Sequence, residues 1–356
     1  MRKRNPSLSW LCGGMVFVLL LLAVDRPVTL LAAQRTGVDP FIQNRKLGRG
    51  VNIIGYDPIW RSPSRGPDRA MDKARFKAQY FRMIKDAGFA GVRINLHPFR
   101  HTTADKDYAL ADSWWQVLDW AVKNALQSDL MVILDMHEFG AMGNDPEGNK
   151  DKFLAFWRQV SQRFQDAPDN VLFEILNEPS RKLTPQMWSQ YMREALAIIR
   201  KTNPVRTVII GPANYNSIGH LGELALPEDD RNIIVTVHYY SPMDFTHQGA
   251  AWAGRKDKTG VEWKGTDQEK AAVEGDFAKA QVWAKEHNRP IFLGEFGVYD
   301  KAPMDSRVRY LKFVTAAAEK LGWSWAYWQF DSDFILYDIN NERWVEPIRD
   351  ALIPRQ

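Results

Sequence analysis

The chain has 356 residues, of which 45% are hydrophobic, 25% charged and 12% aromatic. These proportions are typical of a globular protein and exclude a collagen-like, coiled-coil or largely disordered chain. The formal charge of +4 is mildly basic. The single cysteine excludes a disulfide framework and any cluster of thiolate metal ligands.

The first 33 residues have the layout of a secretory signal peptide. Three basic residues at 2–4 precede the apolar run MVFVLLLLAV at 15–24, and the small residues Ala32 and Ala33 follow. The run is shorter than the roughly 20 residues of a membrane span, which favours a cleaved leader over an uncleaved anchor. We therefore predict a signal peptide over 1–33 and a secreted or periplasmic protein with no stable membrane association after cleavage.

Most of the positive charge lies in this leader, which has four basic residues and one acidic residue. The remaining chain is nearly neutral, so its charge gives no reason to expect a nucleic acid partner. The single cysteine, Cys12, lies in the leader as well.

Eight short apolar runs follow along the rest of the chain. Continuous runs of this kind are typical of parallel strands that are covered on both faces. Between the runs, apolar residues recur at intervals of three and four, which predicts amphipathic helices. Thr184 and Pro185 have the form of a helix N-cap followed by proline at the first helical position. The runs are GVNIIG near Val51, GVRINL near Gly91, LMVILDMH from Leu130, VLFEIL from Val171, TVIIG from Thr207, IIVTVHY from Ile233, PIFLGEF from Pro290 and WSWAYWQF from Trp323.

This alternation predicts an α/β fold, a (β/α)8 TIM barrel, formed by a single domain over 39–354. A doubly wound open sheet is the alternative. It is disfavoured because no strand-to-helix turn carries a glycine-rich phosphate loop. No low-complexity linker or charge block interrupts this part of the sequence, which indicates one domain.

Polar residues end most of the predicted strands. A charged residue after several apolar ones is costly to bury unless it is paired. In a barrel, the carboxyl ends of the strands build the active site, so these residues predict one shared polar site. They are Arg93, Asn95 and His97 in the second run, Asp135, His137 and Glu138 in the third, Asn177 and Glu178 after the fourth, His238, Tyr239 and Tyr240 after the sixth, Glu295 in the seventh, and Trp328 and Gln329 in the eighth.

Glu178 and Glu295 stand out in this set. Each follows a strongly apolar strand, and the fourth and seventh strands of a barrel face each other across its mouth. Two carboxylates that flank a substrate are the equipment for hydrolysis of a glycosidic bond. An isolated glutamate after a strand more often caps a loop or pairs with arginine, but two such glutamates with several polar neighbours favour catalysis. We expect a carboxyl separation of about 5–5.5 Å, which corresponds to retention of anomeric configuration.

Two short motifs resemble the catalytic motifs of glycoside hydrolase family 5, the family of many endo-β-1,4-glucanases. They are Leu-Asn-Glu-Pro at 176–179 and Gly-Glu-Phe-Gly at 294–297. The resemblance spans nearly the whole chain after the leader. It includes Gly-Arg-Gly-Val-Asn at 48–52, Val-Arg-Ile at 92–94, Asp-Met-His at 135–137, Val-His-Tyr-Tyr at 237–240 and Trp-Ala-Tyr-Trp at 325–328.

The resemblance implies a role for each matching residue. Glu178 corresponds to the acid/base and Glu295 to the nucleophile of a retaining mechanism. At two positions the chain differs from many family members: Glu138 is present in place of a histidine, and Gln329 in place of a glutamate. The supporting residues implied are Arg93, which holds the nucleophile ionised, Tyr240, hydrogen-bonded to it, Asn177 for the sugar 2-hydroxyl, the active-site histidines His137 and His238, the aromatic platform Trp328, and a further substrate-contacting histidine, His101.

The two glutamates need different protonation states, so their environments must separate their pKa values. We expect the Arg93 cation to lower the pKa of Glu295, and burial together with that anion to raise the pKa of Glu178. His137, His238 and Asp135 invite a catalytic metal as an alternative. It is disfavoured because no H-E-x-x-H motif is present, so we expect no metal and no cofactor. For Asp135, hydrogen bonding to backbone at the barrel rim is the expected structural role.

Most of the 14 tryptophans are expected to pack between helices and barrel. Trp157, Trp188 and Trp283 lie in helical patterns of this kind. Trp252 and Trp263 lie in the long connection after the sixth strand, where stacking on sugar and packing of the loop are equally compatible with the sequence.

These features predict a retaining endo-β-1,4-glucanase, a cellulase whose partner is a β-glucan polysaccharide or oligosaccharide. A mannanase, a xyloglucanase or another β-glycanase of the same family is the first alternative, because the same two glutamates serve all of them. The second alternative, from another class, is a non-catalytic carbohydrate-binding barrel.

Overall fold

The computed structural model of the chain describes residues 37–54, 76–105 and 107–354. All of them lie in one compact unit, Thr36–Gln356. The predicted signal peptide lies outside the described residues. All eight predicted strands are present and close into a barrel. They are β1 Arg49–Ile54, β2 Gly91–Leu96, β3 Met131–Met136, β4 Val171–Glu174, β5 Val208–Ile210, β6 Ile233–Tyr239, β7 Ile291–Phe296 and β8 Ser324–Tyr327.

Every strand runs parallel to its neighbours, and β1 pairs with β8 to close the ring. The register places Asn52 beside Arg93 and Arg93 beside Ile133. Parallel strands require crossover connections, and helices supply them. The predicted (β/α)8 barrel is therefore confirmed. A small antiparallel pair follows it, β9 Tyr337–Asp338 and β10 Arg343–Trp344.

The helices alternate with the strands as the sequence period predicts. Thr184 caps its helix as expected, because its side chain accepts a hydrogen bond from the Met187 amide and Pro185 opens the first turn. Among the described residues, no helix is both long and apolar enough to cross a membrane. The helices are α1 Pro40–Leu47, α2 Ala78–Asp86, α3 Asp112–Gln127, α4 Phe139–Asn144, α5 Pro146–Arg163, α6 Pro185–Thr202, α7 Met243–Thr246, α8 Asp267–Glu286, α9 Met304–Lys320 and α10 Glu346–Leu352.

The interface between helices and barrel contains the large aromatic residues. Trp157 and Trp188 are buried there, and each indole N–H donates to a backbone carbonyl, of Ile175 and Gly211 respectively. Trp283 is also buried. Burial of large aromatic side chains supplies much of the hydrophobic stabilisation of such a layer. The packing role predicted for these three residues is confirmed.

The amino end of the barrel interior is apolar. Its side chains form a separate cluster, which α1 covers from below through Leu47. Asn44 fixes this helix to the barrel, because its Nδ2 donates to the Ile291 carbonyl at 3.0 Å and its Oδ1 accepts from Ser324 Oγ at 2.6 Å. The cluster consists of Leu47, Met131, Ile133, Leu172, Ile209, Ile234, Phe292 and Ala326.

Candidate active site

Arg93 lies at the centre of the carboxyl end of the barrel and is fully buried. Its Nε and Nη2 donate to the two oxygens of Glu174 at 2.7 and 2.8 Å, a bidentate pair. Its Nη1 donates to Glu295 Oε1 at 2.7 Å, and Nη2 lies 3.1 Å from Asp135 Oδ2. Burial alone would lower the pKa of Arg93, but the three carboxylates outweigh it and raise that pKa above its ordinary value.

Glu295, near the end of β7, receives two hydrogen bonds at its carboxylate. Arg93 donates to Oε1, and the Tyr240 hydroxyl donates to Oε2 at 3.0 Å. Burial nevertheless raises the pKa of Glu295 to about 7, and the interactions with His238 and Arg93 only partly oppose this. The expectation that Arg93 lowers this pKa is right about the contribution of Arg93 but wrong about the net direction. Desolvation of a buried carboxylate is the larger effect.

Glu178 follows β4 and faces Glu295. Its Oε1 lies 2.8 Å from His238 Nδ1, which is in turn 3.6 Å from Glu295 Oε2. Burial raises the pKa of Glu178 to about 8, opposed by Arg93 and supported by the charges of Asp135 and Glu174. Glu178 is therefore the more basic carboxylate of the pair. Its backbone has a φ of 41°, in the left-handed region that non-glycine residues rarely adopt.

The two carboxylates are close enough to share one reacting bond. Glu178, Glu295 and His238 each offer an atom within 4.8 Å of the others. Ligand atoms in such a group could also hold a cation, but here Glu295 already accepts hydrogen bonds from Arg93 and Tyr240, and Glu178 Oε1 already contacts His238 Nδ1.

His137 is held between Asp135 of β3 and Asn177 in the loop after β4. Its Nδ1 lies 2.6 Å from Asp135 Oδ2, and its Nε2 lies 3.3 Å from Asn177 Nδ2. The Trp328 ring stacks on it, with centroids 5.5 Å apart and planes 11° apart. The expectation for Asp135 is wrong, because its carboxylate contacts the side chains of His137, Asn95 and Arg93 rather than rim backbone. Asn177 also accepts from Arg93 Nη2 at 2.8 Å through its Oδ1.

Of the nine residues predicted for the site, eight are joined by these contacts and His101 is not. His101 ends the short 3-10 helix Pro98–His101, and within the described ranges its Nε2 is buried without a hydrogen-bond partner. Glu138, the first family difference, accepts from the Phe99 amide at 2.7 Å and so fixes this segment to the end of β3. Burial raises the pKa of Glu138.

Two residues of the site are not predicted from the sequence. Glu174 lies inside β4 rather than after it, and the only signal is one charge in the apolar string VLFEIL. Asn216 lies in the connection after β5 with its amide Nδ2 3.2 Å from His238 Nε2. No local pattern in the sequence indicates this contact.

The two tryptophans in the long connection after β6 differ in exposure, and each fits one of the two expected roles, stacking on sugar or packing of the loop. Trp263 is buried and packs on Tyr310. Trp252 is 62% exposed, and its ring contacts His247, which itself packs on Tyr240 beside the carboxylate pair. An exposed tryptophan next to the site is available to a ligand, whereas the buried one is part of the packing.

A (β/α)8 barrel with two carboxylates this close at its carboxyl end defines a glycoside hydrolase site. Residues 52–334 match the model of the cellulase family, glycosyl hydrolase family 5. The chain belongs to this family, as its resemblance predicts.

Relatives agree with this assignment. Endoglucanase H of Acetivibrio thermocellus is 33% identical over 330 residues, which cover 88% of this chain and 34% of that protein. The chain thus spans about a third of the length of that relative. The crystal structure of endoglucanase Cel5A from the hyperthermophilic Thermotoga maritima is 39% identical, with a TM-score of 0.82 over 89% of this chain and all of that one. A structure of the same Thermotoga enzyme in complex with mannotriose is similar at 38% identity and a TM-score of 0.82, covering 88% of this chain and all of that one.

Proposed function

We propose that the protein is a retaining endo-β-1,4-glucanase that hydrolyses internal bonds of a β-glucan by double displacement. The observation that carries this proposal is the carboxylate pair, in which one oxygen of Glu178 lies within 4.8 Å of one oxygen of Glu295. Inverting enzymes need a wider gap of about 6.5–9.5 Å to hold a water molecule between the carboxylates. The shorter gap between Glu178 and Glu295 allows Glu295 itself to attack the sugar.

In the first step Glu178 is the acid and Glu295 the nucleophile. The higher pKa of Glu178, about 8, keeps its carboxyl protonated near neutral pH. Glu295 is the more readily ionised, because Arg93 and Tyr240 donate to its carboxylate. A Glu295 oxygen forms a bond to the anomeric carbon, the glycosidic C–O bond breaks, and the Glu178 proton passes to the leaving oxygen.

In the second step the same residues exchange roles. Once Glu295 is esterified it carries no charge, so ionised Glu178 no longer faces a neighbouring anion and its pKa falls. Glu178 then takes a proton from water, which attacks the anomeric carbon and releases Glu295. The His238 Nδ1–H, 2.8 Å from Glu178 Oε1, stabilises the carboxylate in this step.

The substrate class follows from the relatives and from the aromatic surface. Family members of known name include endoglucanases at 33–39% identity. Trp328 stacks on His137 in the site and gives a sugar ring a flat apolar face. The substrate panel should contain carboxymethylcellulose, xyloglucan, mixed-linkage glucan and mannan. Mannan is included because a similar solved structure contains mannotriose.

The test compares Glu295→Gln with Glu223→Gln. Glu223 is an exposed carboxylate that also bonds a histidine, His220, and so controls for loss of a charge. We expect Glu295→Gln to lose activity on carboxymethylcellulose and Glu223→Gln to keep it. NMR of the first products should show the β-anomer. Wild-type activity in Glu295→Gln, or an α-anomer as first product, would contradict the proposal.

We also propose that the protein acts outside the cytoplasm, after cleavage of the predicted leader 1–33. Its basic start and apolar run support export. The test is fractionation of cells that express the whole chain, with mass spectrometry of the mature amino terminus. Recovery of intact leader in the membrane fraction would contradict cleavage.

A further inference from the structure

The connection after β5 contains an unusual turn. Asn214, Tyr215 and Asn216 all have positive φ, at 59°, 65° and 53°. Left-handed backbone is unfavourable for an L-residue, and tyrosine has no short polar side chain to offset this. Strain of this kind persists only where the surroundings hold it in place.

The turn is held by contacts to both sides of the active site. The Tyr215 N–H donates to the carbonyl of Pro179, the residue after Glu178, at 3.3 Å. Ser217 pairs with His238 as an isolated β-bridge. Asn216 is fully buried, with its Nδ2 at 3.2 Å from His238 Nε2. The turn therefore connects the loop that carries Glu178 to the histidine that bonds it.

Gly211 fixes which way the Asn216 amide points. A Cβ at Gly211 would lie 2.2 Å from Asn216 Oδ1, so the oxygen sits directly against the glycine Cα–H. Such C–H···O contacts are weakly favourable. Within the described residues Oδ1 has no hydrogen-bond partner, and a carbonyl oxygen tolerates this better than an NH₂ group would. The NH₂ group therefore faces His238.

We propose that Asn216 is a positioning residue that holds His238 in the tautomer with its proton on Nδ1. An amide N–H donating to Nε2 requires a lone pair there, so a neutral imidazole must carry its proton on Nδ1. That proton points at Glu178 Oε1, 2.8 Å away.

This tautomer decides where the acid proton of Glu178 resides. Oε1 accepts from His238, so the carboxyl proton is left on Oε2 for the leaving oxygen. With the opposite tautomer, Nδ1 would be an acceptor and would draw the Glu178 proton to itself. The inference rests on the proposed function for its catalytic meaning, although the tautomer itself is a property of the resting protein.

The surroundings keep His238 neutral, which is the condition for a tautomer to exist. Burial lowers the pKa of His238, and neighbouring charges act in both directions. The charged or titratable groups that face it are Glu178, Glu295, Arg93, Glu174 and Asp135.

The first experiment reads the His238 tautomer in the wild-type protein. In ¹⁵N-labelled whole protein, long-range ¹H–¹⁵N spectra distinguish a protonated ring nitrogen from one with a lone pair, and loss of the signals in His238→Gln assigns them. We expect Nδ1 protonated and Nε2 unprotonated in the wild type at pH 7. A wild-type signal with the proton on Nε2 would overturn the proposal.

Two variants then disturb the amide from different sides. Asn216→Asp places an acceptor at Nε2 and should move the proton there. Gly211→Ala places a Cβ against the Asn216 side chain and the Thr236 methyl group, and serves if the buried aspartate prevents folding. Asn214→Asp is the matched control, because Asn214 lies in the same turn and its Nδ2 bonds His220 Nδ1 at 3.1 Å.

The kinetic readout is the dependence on the leaving group. A misdirected acid slows cleavage of poor leaving groups, so kcat/KM on cellooligosaccharides should fall about 10-fold or more in Asn216→Asp and Gly211→Ala. On dinitrophenyl cellobioside, whose cleavage needs no acid, kcat/KM of both variants should stay close to the wild-type value. Equal loss on both substrates, or an unchanged His238 tautomer in a folded Asn216→Asp, would overturn the proposal. If Glu295→Gln stays active while the tautomer is as expected, the proposed function fails and the tautomer assignment stands.

Discussion

The barrel interior has an apolar half and a charged half, and the same strands contribute to both. In the half nearer α1, β3 contributes Ile133 and β4 contributes Leu172 to an apolar cluster. Two residues further along, the same strands contribute Asp135 and Glu174, both fully buried around Arg93. Alternate residues of a barrel strand point inward, so one step of the strand changes the interior from hydrocarbon to charge.

The difference shows how the molecule separates stability from chemistry. Buried apolar surface contributes roughly 25 cal/mol per Å², and the lower half and the helix interface supply it. Charges in the upper half cost free energy to desolvate and are tolerated because each has partners. The catalytic carboxylates therefore sit in a region that the rest of the fold must hold in place.

The largest expected effect comes from the acid/base itself. Glu178→Gln should reduce kcat on carboxymethylcellulose by about 10²–10⁴-fold, the contribution of a general acid. It should not lower the free energy of unfolding, because the amide avoids desolvating a carboxylate. The acid role is checked by kcat/KM on dinitrophenyl cellobioside, which reports the first step and needs no acid, so this quantity should fall much less than on carboxymethylcellulose. A fall of the same size in kcat/KM on both substrates would contradict the role.

Next is removal of the central cation. Arg93→Met leaves Glu174, Asp135 and Glu295 without their shared partner. We expect the free energy of unfolding to fall by about 3–5 kcal/mol, measured by urea denaturation. Adding Glu174→Gln should recover part of the loss. A loss below about 1 kcal/mol would show that the upper half does not depend on this pairing.

The lower half should behave in the opposite way. Ile133→Ala creates a cavity beside α1 and should lower the free energy of unfolding by about 2–4 kcal/mol, while kcat stays at the wild-type value. Val282→Ala, at a position 56% exposed, is the control and should change neither quantity. A fall in kcat without a fall in stability would contradict the separation of the two halves.

The last prediction concerns the pH response. Activity needs Glu295 ionised and Glu178 protonated, so kcat/KM should fall as pH drops through about 7 and as it rises through about 8. Both pKa values are raised on folding, so their stabilising contribution is present at acidic pH and declines as pH rises through these values. Thermal unfolding between pH 5 and 9, with Glu178→Gln as the less pH-sensitive control, measures this decline. A wild-type Tm that rises from pH 5 to pH 9, while the Tm of Glu178→Gln does not, would contradict this prediction.

The eight strands are predictable from sequence because the lower half of the barrel and the helix interface are hydrophobic. Runs such as LMVILDMH predict a strand, and their polar ends place residues such as His137 and Glu295 at one mouth. Glu174 is missed because a single charge inside an apolar strand does not indicate its partner. That partner, Arg93, lies on a different strand and is identified only from the structure.

Other features depend on three dimensions alone. The three left-handed residues Asn214, Tyr215 and Asn216 have no glycine among them to mark the turn. The net pKa of Glu295 depends on how completely the site is buried, and the number of donors around it does not reveal this. Sequence spacing likewise leaves open that Trp252 is exposed and Trp263 buried.

The short helix α1 sets a limit on how far the chain can be shortened. Asp39 caps it by accepting from the amides of Phe41 and Ile42, and Asn44 and Leu47 seal the base of the barrel. Removal of Asp39 would leave the first turn of α1 without its cap. Removal of the helix would expose the apolar base of the barrel to water, so aminopeptidase digestion that passes α1 should destabilise the whole barrel.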